Sequence, residues 1–209
     1  MIDRRSMLKY SGAAALGTLA LSAVASGTDL AFANGSTEPP QPTSVALLPD
    51  PATTVVPNPP FPKGLTHEER AHLTTFDELD FDVFTHAEWS RLSESHAKTI
   101  RAHWPDGHYT DGLDKHIADL AALFAWAPDT RILEHPLRVA KDNLTAVTGV
   151  MRGTFTRPMP DGKGGYIAPT GKAYAINMAT VGIWNRSGVM DEEFLFWDNL
   201  TFYQQIGLA

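Results

Sequence analysis

The sequence predicts an α+β fold, and three observations predict it. Helical spacing dominates between Thr66 and Trp126, four long strand-like runs follow, and Gly- and Pro-rich turns separate those runs. Thr66-His67-Glu68-Glu69 is a capping box that opens a helix to about Leu73, and Phe76, Leu79, Phe81, Val83 and Phe84 supply an apolar patch after it. Thr85-His86-Ala87-Glu88 reads as a second capping box, opening a helix with Trp89 and Leu92. Thr99 to Trp104 reads as a strand, and 105–112 as a loop. From Leu113 to Trp126 the apolar stripe Leu113, Ile117, Leu120, Ala121 and Phe124 predicts a helix, with His116 displaced from that stripe by one position. Arg131–Val139, Thr145–Phe155, Ala173–Trp184 and Val189–Trp197 are the strand-like runs. Asn185-Arg186-Ser187-Gly188 turns the last two into a hairpin, and 157–172 is a glycine- and proline-rich hairpin loop. Asn199 to Ile206 closes as a short helix with Gly207 as its cap.

Ahead of this domain, at 64–209, lie two segments of other kinds. Residues 1–33 join Arg4-Arg5-Ser6-Met7-Leu8-Lys9, an uncharged run from Tyr10 to Thr28, and the small-x-small sequence Ala31-Phe32-Ala33. A basic start, mild apolar middle and small-residue end make a signal peptide. The paired arginines and weak hydrophobicity resemble a twin-arginine export signal, so the expected location is periplasmic or secreted. The uncharged run has the length of a membrane anchor, so retention is the alternative to cleavage after Ala33. After cleavage no stable membrane insertion is expected. Nine of the 15 prolines fall between Pro39 and Pro62, which marks 34–63 as a proline-rich tether or an extended wrap.

Composition narrows the chemistry. The 209 residues include no cysteine, which excludes disulfides, thiolate metal ligands and a thiol nucleophile. A net charge of −7 without a basic patch argues against nucleic acid as a partner. The eight histidines show no ligand-pair spacing within one element. His67 and His72 are five apart rather than four, and no metal is expected. A phosphate loop and a Gly-x-Ser-x-Gly elbow are also missing.

Three blocks carry a resemblance. They are Ala102-His103-Trp104-Pro105-Asp106-Gly107 with Gly112-Leu113-Asp114; Ala127-Pro128-Asp129-Thr130-Arg131; and Glu192-Glu193-Phe194-Leu195-Phe196-Trp197-Asp198, ending in Gln204-Gln205-Ile206-Gly207. In order and spacing, over roughly Asp80 to Leu208, they resemble the SnoaL-like polyketide cyclases, or ester cyclases, of the nuclear-transport-factor-2-like superfamily. The resemblance implies a cone-shaped α+β barrel, with a strongly bent antiparallel sheet wrapped on N-terminal helices and one apolar pocket. It also implies cofactor-free chemistry, in which a carboxylate takes a proton from a carbon acid and an aldol closure follows. Scytalone dehydratase and ketosteroid isomerase resemble this architecture too, so the fold alone does not fix the reaction.

Asp198 matches the family's acid/base aspartate. Strand alternation sets it on one face with Glu192, Phe194 and Phe196, and sets Glu193, Leu195 and Trp197 on the other. Asp198 is equally well placed to cap the final helix. His103 matches a family histidine, placed to donate to substrate or orient Asp198; His135 and His116 are weaker candidates. Trp89, Phe124, Trp126, Met151, Met178, Trp184 and Phe196 are candidate pocket walls, each also readable as ordinary core. Leu195 and Trp197, opposite Asp198, suggest a sheet face covered in a homodimer. The expected function is an exported cyclase, isomerase or lyase acting on a small hydrophobic carbonyl compound. A non-catalytic binder of a hydrophobic molecule and a dimerising scaffold are the alternatives.

Overall fold

A computed structural model describes residues 57–209. The export segment 1–33 and most of the tether lie outside the described residues. Its last stretch runs along the domain. The Asn58 side-chain amide donates to the Leu133 carbonyl at 3.0 Å and accepts from the His135 backbone N–H at 2.9 Å. The Phe61 ring lies against the Arg138 guanidinium, 4.8 Å from its centroid.

Helix α1 (His67–Glu78) begins at the expected capping box, with both Thr66–Glu69 bonds present. It continues past Leu73 and runs directly into a π-helical turn over Leu79–Phe84. The wider turn buries Leu79, Asp80, Val83 and Phe84 together. Such turns recur at functional sites.

The second capping box does not form. The Thr85 hydroxyl donates to the Asp80 carbonyl at 2.7 Å and accepts from the Ile132 N–H at 3.0 Å, which ties the π turn to a strand. Glu88 binds Arg91 at 2.6 Å instead of reaching back to Thr85, and only a 3₁₀ segment, Trp89–Glu94, follows.

The strands are β1 (His96–His103), β2 (Tyr109–Asp111), β3 (Arg131–Ile132), β4 (Leu137–Lys141), β5 (Leu144–Thr154), β6 (Met159–Pro160), β7 (Tyr166–Ile167), β8 (Ala173–Trp184) and β9 (Met190–Trp197). Helices α2 (Leu113–Trp126) and α3 (Asn199–Ile206) complete the fold. The run expected over 131–139 is two strands, broken where Pro136 cannot donate to a ladder. β2 occupies part of the expected loop, and β6–β7 form a small hairpin within 157–172. The main sheet is ordered β2-β1-β9-β8-β5-β3, with β4 also on β5. Its pairs are antiparallel except β1 with β9, which run parallel, so the sheet is mixed rather than wholly antiparallel.

One irregularity decides which residues face inward. At the β8–β9 turn Trp184 pairs with Met190, but Ile183 pairs with Glu192, so Asp191 is an extra residue. A one-residue bulge exchanges the two faces of the strand beyond it. The inward residues of β8 include Met178, Thr180 and Trp184. Without the bulge Glu192, Phe194 and Phe196 would lie beside them. With it, Gly182, Thr180 and Met178 pair with Glu193, Leu195 and Trp197, and these line the interior. α3 ends as expected at Gly207, whose φ of 80° only glycine adopts without strain. Among the described residues no helix is long and apolar enough to cross a membrane.

Candidate active site

The π turn, α2 and the inner faces of β1, β5, β8 and β9 surround one cavity of about 40 Å³. A single buried water needs about 10–15 Å³ by this measure, so the space suits a small ligand or a few waters. Most of its wall is apolar, from Leu79, Phe84, Leu123, Ile132, Met151 and Met178 among others. The ionisable side chains on it are Asp80, His96, His116 and Glu193.

Asp80 comes from the π turn and is 8% exposed. Its Oδ2 accepts from His135 Nε2 at 2.9 Å, while His135 Nδ1 donates to Asp77 Oδ1 at 2.7 Å. With its pKa raised to about 9, His135 is an imidazolium that donates to both carboxylates. Burial pushes the Asp80 carboxyl above its ordinary value, with smaller contributions from the charges on Glu193 and Asp77; the bond from His135 and its charge act in the opposite direction. Burial would lower the His135 pKa, but the hydrogen bonds to Asp77 and Asp80 more than reverse this and raise it to about 9. Arg138 completes the group by binding Asp77.

On the opposite wall Glu193 is 5% exposed. Its Oε2 lies 3.3 Å from His116 Nε2 on α2 and 3.6 Å from His96 Nε2 on β1. Burial alone would raise its pKa, yet the His116 and His96 imidazoles beside it hold it well below the usual carboxylate range. Thr180 faces the same cavity with its hydroxyl buried and unpartnered. A buried polar atom without a partner is uncommon and marks a place where a ligand can bond.

The residues selected from the sequence lie elsewhere. Asp198 is exposed and outside the cavity. Its Oδ1 accepts from the Leu200 N–H at 2.9 Å and its Oδ2 from the Thr201 hydroxyl at 2.6 Å, so it caps α3. These donors hold its carboxyl below the ordinary value, the Thr201 hydroxyl contributing most. Asp198→Ala should therefore lower the melting temperature by a few degrees and leave turnover unchanged. Thermal melts beside a rate assay check this; a large loss of rate with an unchanged melt would return Asp198 to the mechanism.

His103 and Glu192 do meet, with Nε2 and Oε2 3.0 Å apart, but on the outer face of the sheet. There the His103 ring stacks on Phe194 at 4.1 Å. Phe196 is 53% exposed on that face. Trp126 packs with Phe155 and Phe202 in the core, and Trp184 stacks on His72 in a second core cluster. Trp89 packs edge-on to Phe84 and Phe124 beside the cavity. His135 is fully buried and reaches the cavity only through Asp80. The bulge at Asp191 also turns Leu195 and Trp197 inward, so they cannot form an outer dimer face.

Asp77, Asp80, His96, Thr180 and Glu193 are site residues that the sequence reading did not select. Asp80 had a signal: it is a carboxylate on the stripe Phe76, Asp80, Val83, Phe84, where helical spacing calls for an apolar residue. His116 lies on the buried stripe of α2 with Leu123 and Trp126, one position round from the stripe expected.

The chain matches the family model described as SnoaL-like polyketide cyclase over residues 77–206. No curated protein matches it in sequence. Among solved structures it is similar to a protein described as a SnoaL-like polyketide cyclase from Jannaschia sp. CCS1. The TM-score is 0.62 at 18% identity, over 71% of this chain and 99% of that one. It is also similar to IdmH from Streptomyces antibioticus, described as a polyketide cyclase, with TM-score 0.55 and 23% identity over 65% and 98% of the two chains. A protein described as a polyketide cyclase from Acidithiobacillus ferrooxidans gives TM-score 0.55 and 19% identity over 69% and 98%. At these identities the likeness carries the fold alone.

Proposed function

Because this chain belongs to the SnoaL-like polyketide cyclase family, we propose that it is a cyclase- or isomerase-type enzyme, with the cavity between Asp80 and Glu193 as its active site. The observation that carries this reading is Asp80, a buried carboxylate on an apolar wall with its pKa raised. A base works best when its pKa approaches the operating pH, and burial moves a carboxylate in that direction. The substrate class is a small hydrophobic carbonyl compound.

Asp80 takes a proton from the carbon next to the carbonyl, and the C–H electron pair moves to form the enolate. The unpartnered Thr180 hydroxyl is available to donate to the developing oxygen anion. In a cyclisation the enolate carbon then bonds to a second carbonyl carbon of the same molecule. The new alkoxide takes back the proton from Asp80, so the carboxylate is regenerated and no atoms are lost. His135 fixes the orientation of Asp80 throughout. We place the reaction outside the cytoplasm, on the strength of Arg4-Arg5 and Ala31-Phe32-Ala33. A second copy of the chain remains the expected partner, with the outer face around Phe196 and Tyr109 replacing Leu195 and Trp197 as the contact.

The test uses small ketones, cyclohexanone and 2-tetralone, in D₂O. The protein should speed exchange of the protons next to the carbonyl, read by NMR. Exchange no faster than with the Asp80→Asn protein would leave a binder rather than an enzyme.

A further inference from the structure

The Glu193 wall gathers two buried imidazoles and a buried carboxylate on one side of the cavity. His96 Nδ1 lies 2.8 Å from Ser95 Oγ and 3.3 Å from the Leu92 carbonyl, and Ser95 Oγ donates to that same carbonyl at 3.2 Å. His96 Nδ1 is thereby held on the side of the ring away from the cavity. Its Nε2 faces Glu193 Oε2, 3.6 Å away, and has no hydrogen-bond partner. A buried ring nitrogen left without a partner beside a buried carboxylate marks a place where an ion or ligand can bond. A charge-assisted N–H···O bond would close to about 2.7–2.9 Å, and neither histidine comes that near.

The spacing is close to that of ligands around a metal ion. With metal–ligand bonds of about 2.0–2.2 Å, neighbouring ligand atoms lie about 3.0–3.4 Å apart in octahedral or tetrahedral sites. The His116 and His96 distances to Glu193 are 3.3 and 3.6 Å. All three ligand atoms lie within 4.8 Å of one another. The residues are 1%, 2% and 5% exposed and come from α2, β1 and β9. Ser95 and the Leu92 carbonyl supply the outer hydrogen bond that orients a metal-bound imidazole.

We propose that His96, His116 and Glu193 form a binding site for one divalent transition-metal ion, with Zn²⁺ as the representative ion. Two imidazole nitrogens and one carboxylate oxygen suit such ions, and three protein ligands leave a coordination position open to the cavity. A carbonyl or carboxylate oxygen of a ligand would fill it. Spacing within single elements gives no sign of this site, because the three residues come from three elements. The proposal does not depend on Asp80 acting as a base.

The full-length protein is stripped with EDTA, dialysed against 10 µM Zn²⁺, and its metal content measured. A parallel sample with Co²⁺ is read by visible absorption. The wild type should hold about one Zn²⁺ and show tetrahedral Co²⁺ bands. Glu193→Gln and His116→Gln, checked for folding by circular dichroism, should hold none, while His103→Gln on the outer face should match the wild type. Ser95→Ala keeps all three ligands and should weaken binding by about 10–100-fold. A folded wild type that retains no Zn²⁺, or equal retention by Glu193→Gln and His116→Gln, overturns the proposal. Metal content is read without turnover, so failure here is separate from failure of the Asp80 reading.

Discussion

Asp80→Asn should lower the rate of proton abstraction by about 10²–10⁴, the usual contribution of a positioned general base. The substitution keeps the shape of the side chain and removes its capacity to take a proton. Its hydrogen bond with His135 survives, because the Asn side-chain oxygen can accept from Nε2 at the same place. Loss of rate should therefore come with a modest change in stability. The same exchange at Asp198 should leave the rate alone, since that side chain is exposed and bonded to Leu200 and Thr201. A rate unchanged in Asp80→Asn and reduced in Asp198→Asn would reverse the assignment.

The largest effect on stability is expected from Asp77→Ala. Asp77 faces two buried cations, the His135 imidazolium and the Arg138 guanidinium. Those side chains are 0% and 6% exposed. Removing one partner of a buried pair leaves charge without compensation and costs about 3–5 kcal/mol. For a domain of this size that is a fall in melting temperature of roughly 10 °C or more. Stability of the wild type should also depend on pH through His135. Its folded pKa is raised from 6.5 to about 9, so its contribution is complete below about pH 6.5 and is lost as the pH rises through 9. The raised Asp80 pKa acts with the same sign at more acid pH. Urea melts at pH 6, 7.5 and 9.5 should show this decline in the wild type and a flatter profile in His135→Gln. A steeper decline in His135→Gln than in the wild type would contradict the account.

Much of the fold was legible because local signals and packing agree. The Thr66 box, the span of α2, the 12-residue β8 and the Gly207 cap each appear where composition and period put them, while the buried stripe of α2 lies one position round from the one expected. The site was less legible, for three physical reasons. The first is the extra residue at Asp191. β9 carries a carboxylate and large apolar groups on both faces, Glu192 with Phe194 and Phe196 against Glu193 with Leu195 and Trp197. Strand period alone leaves these sets equivalent, and a bulge that cannot be seen in the period chooses between them. The second is the π turn, which follows the extended α1 and points Asp80 inward among apolar neighbours. The third is that His96, His116 and Glu193 are far apart in sequence. Their juxtaposition depends on the parallel pairing of β1 with β9, a long-range contact with no local signature. His103 and Glu192, chosen separately as candidates, do meet, and the same register puts them on the outer face.

The central claim is that the functional site is the interior cavity between Asp80 and Glu193. The most direct test is a crystal structure of the protein soaked with 2-tetralone, refined against high-resolution data. The account predicts non-protein density inside the cavity, with the ketone oxygen near Thr180 and the adjacent carbon within reach of an Asp80 carboxylate oxygen. Ligand density on the outer face at His103 and Glu192, with the cavity closed by its own side chains, would contradict it.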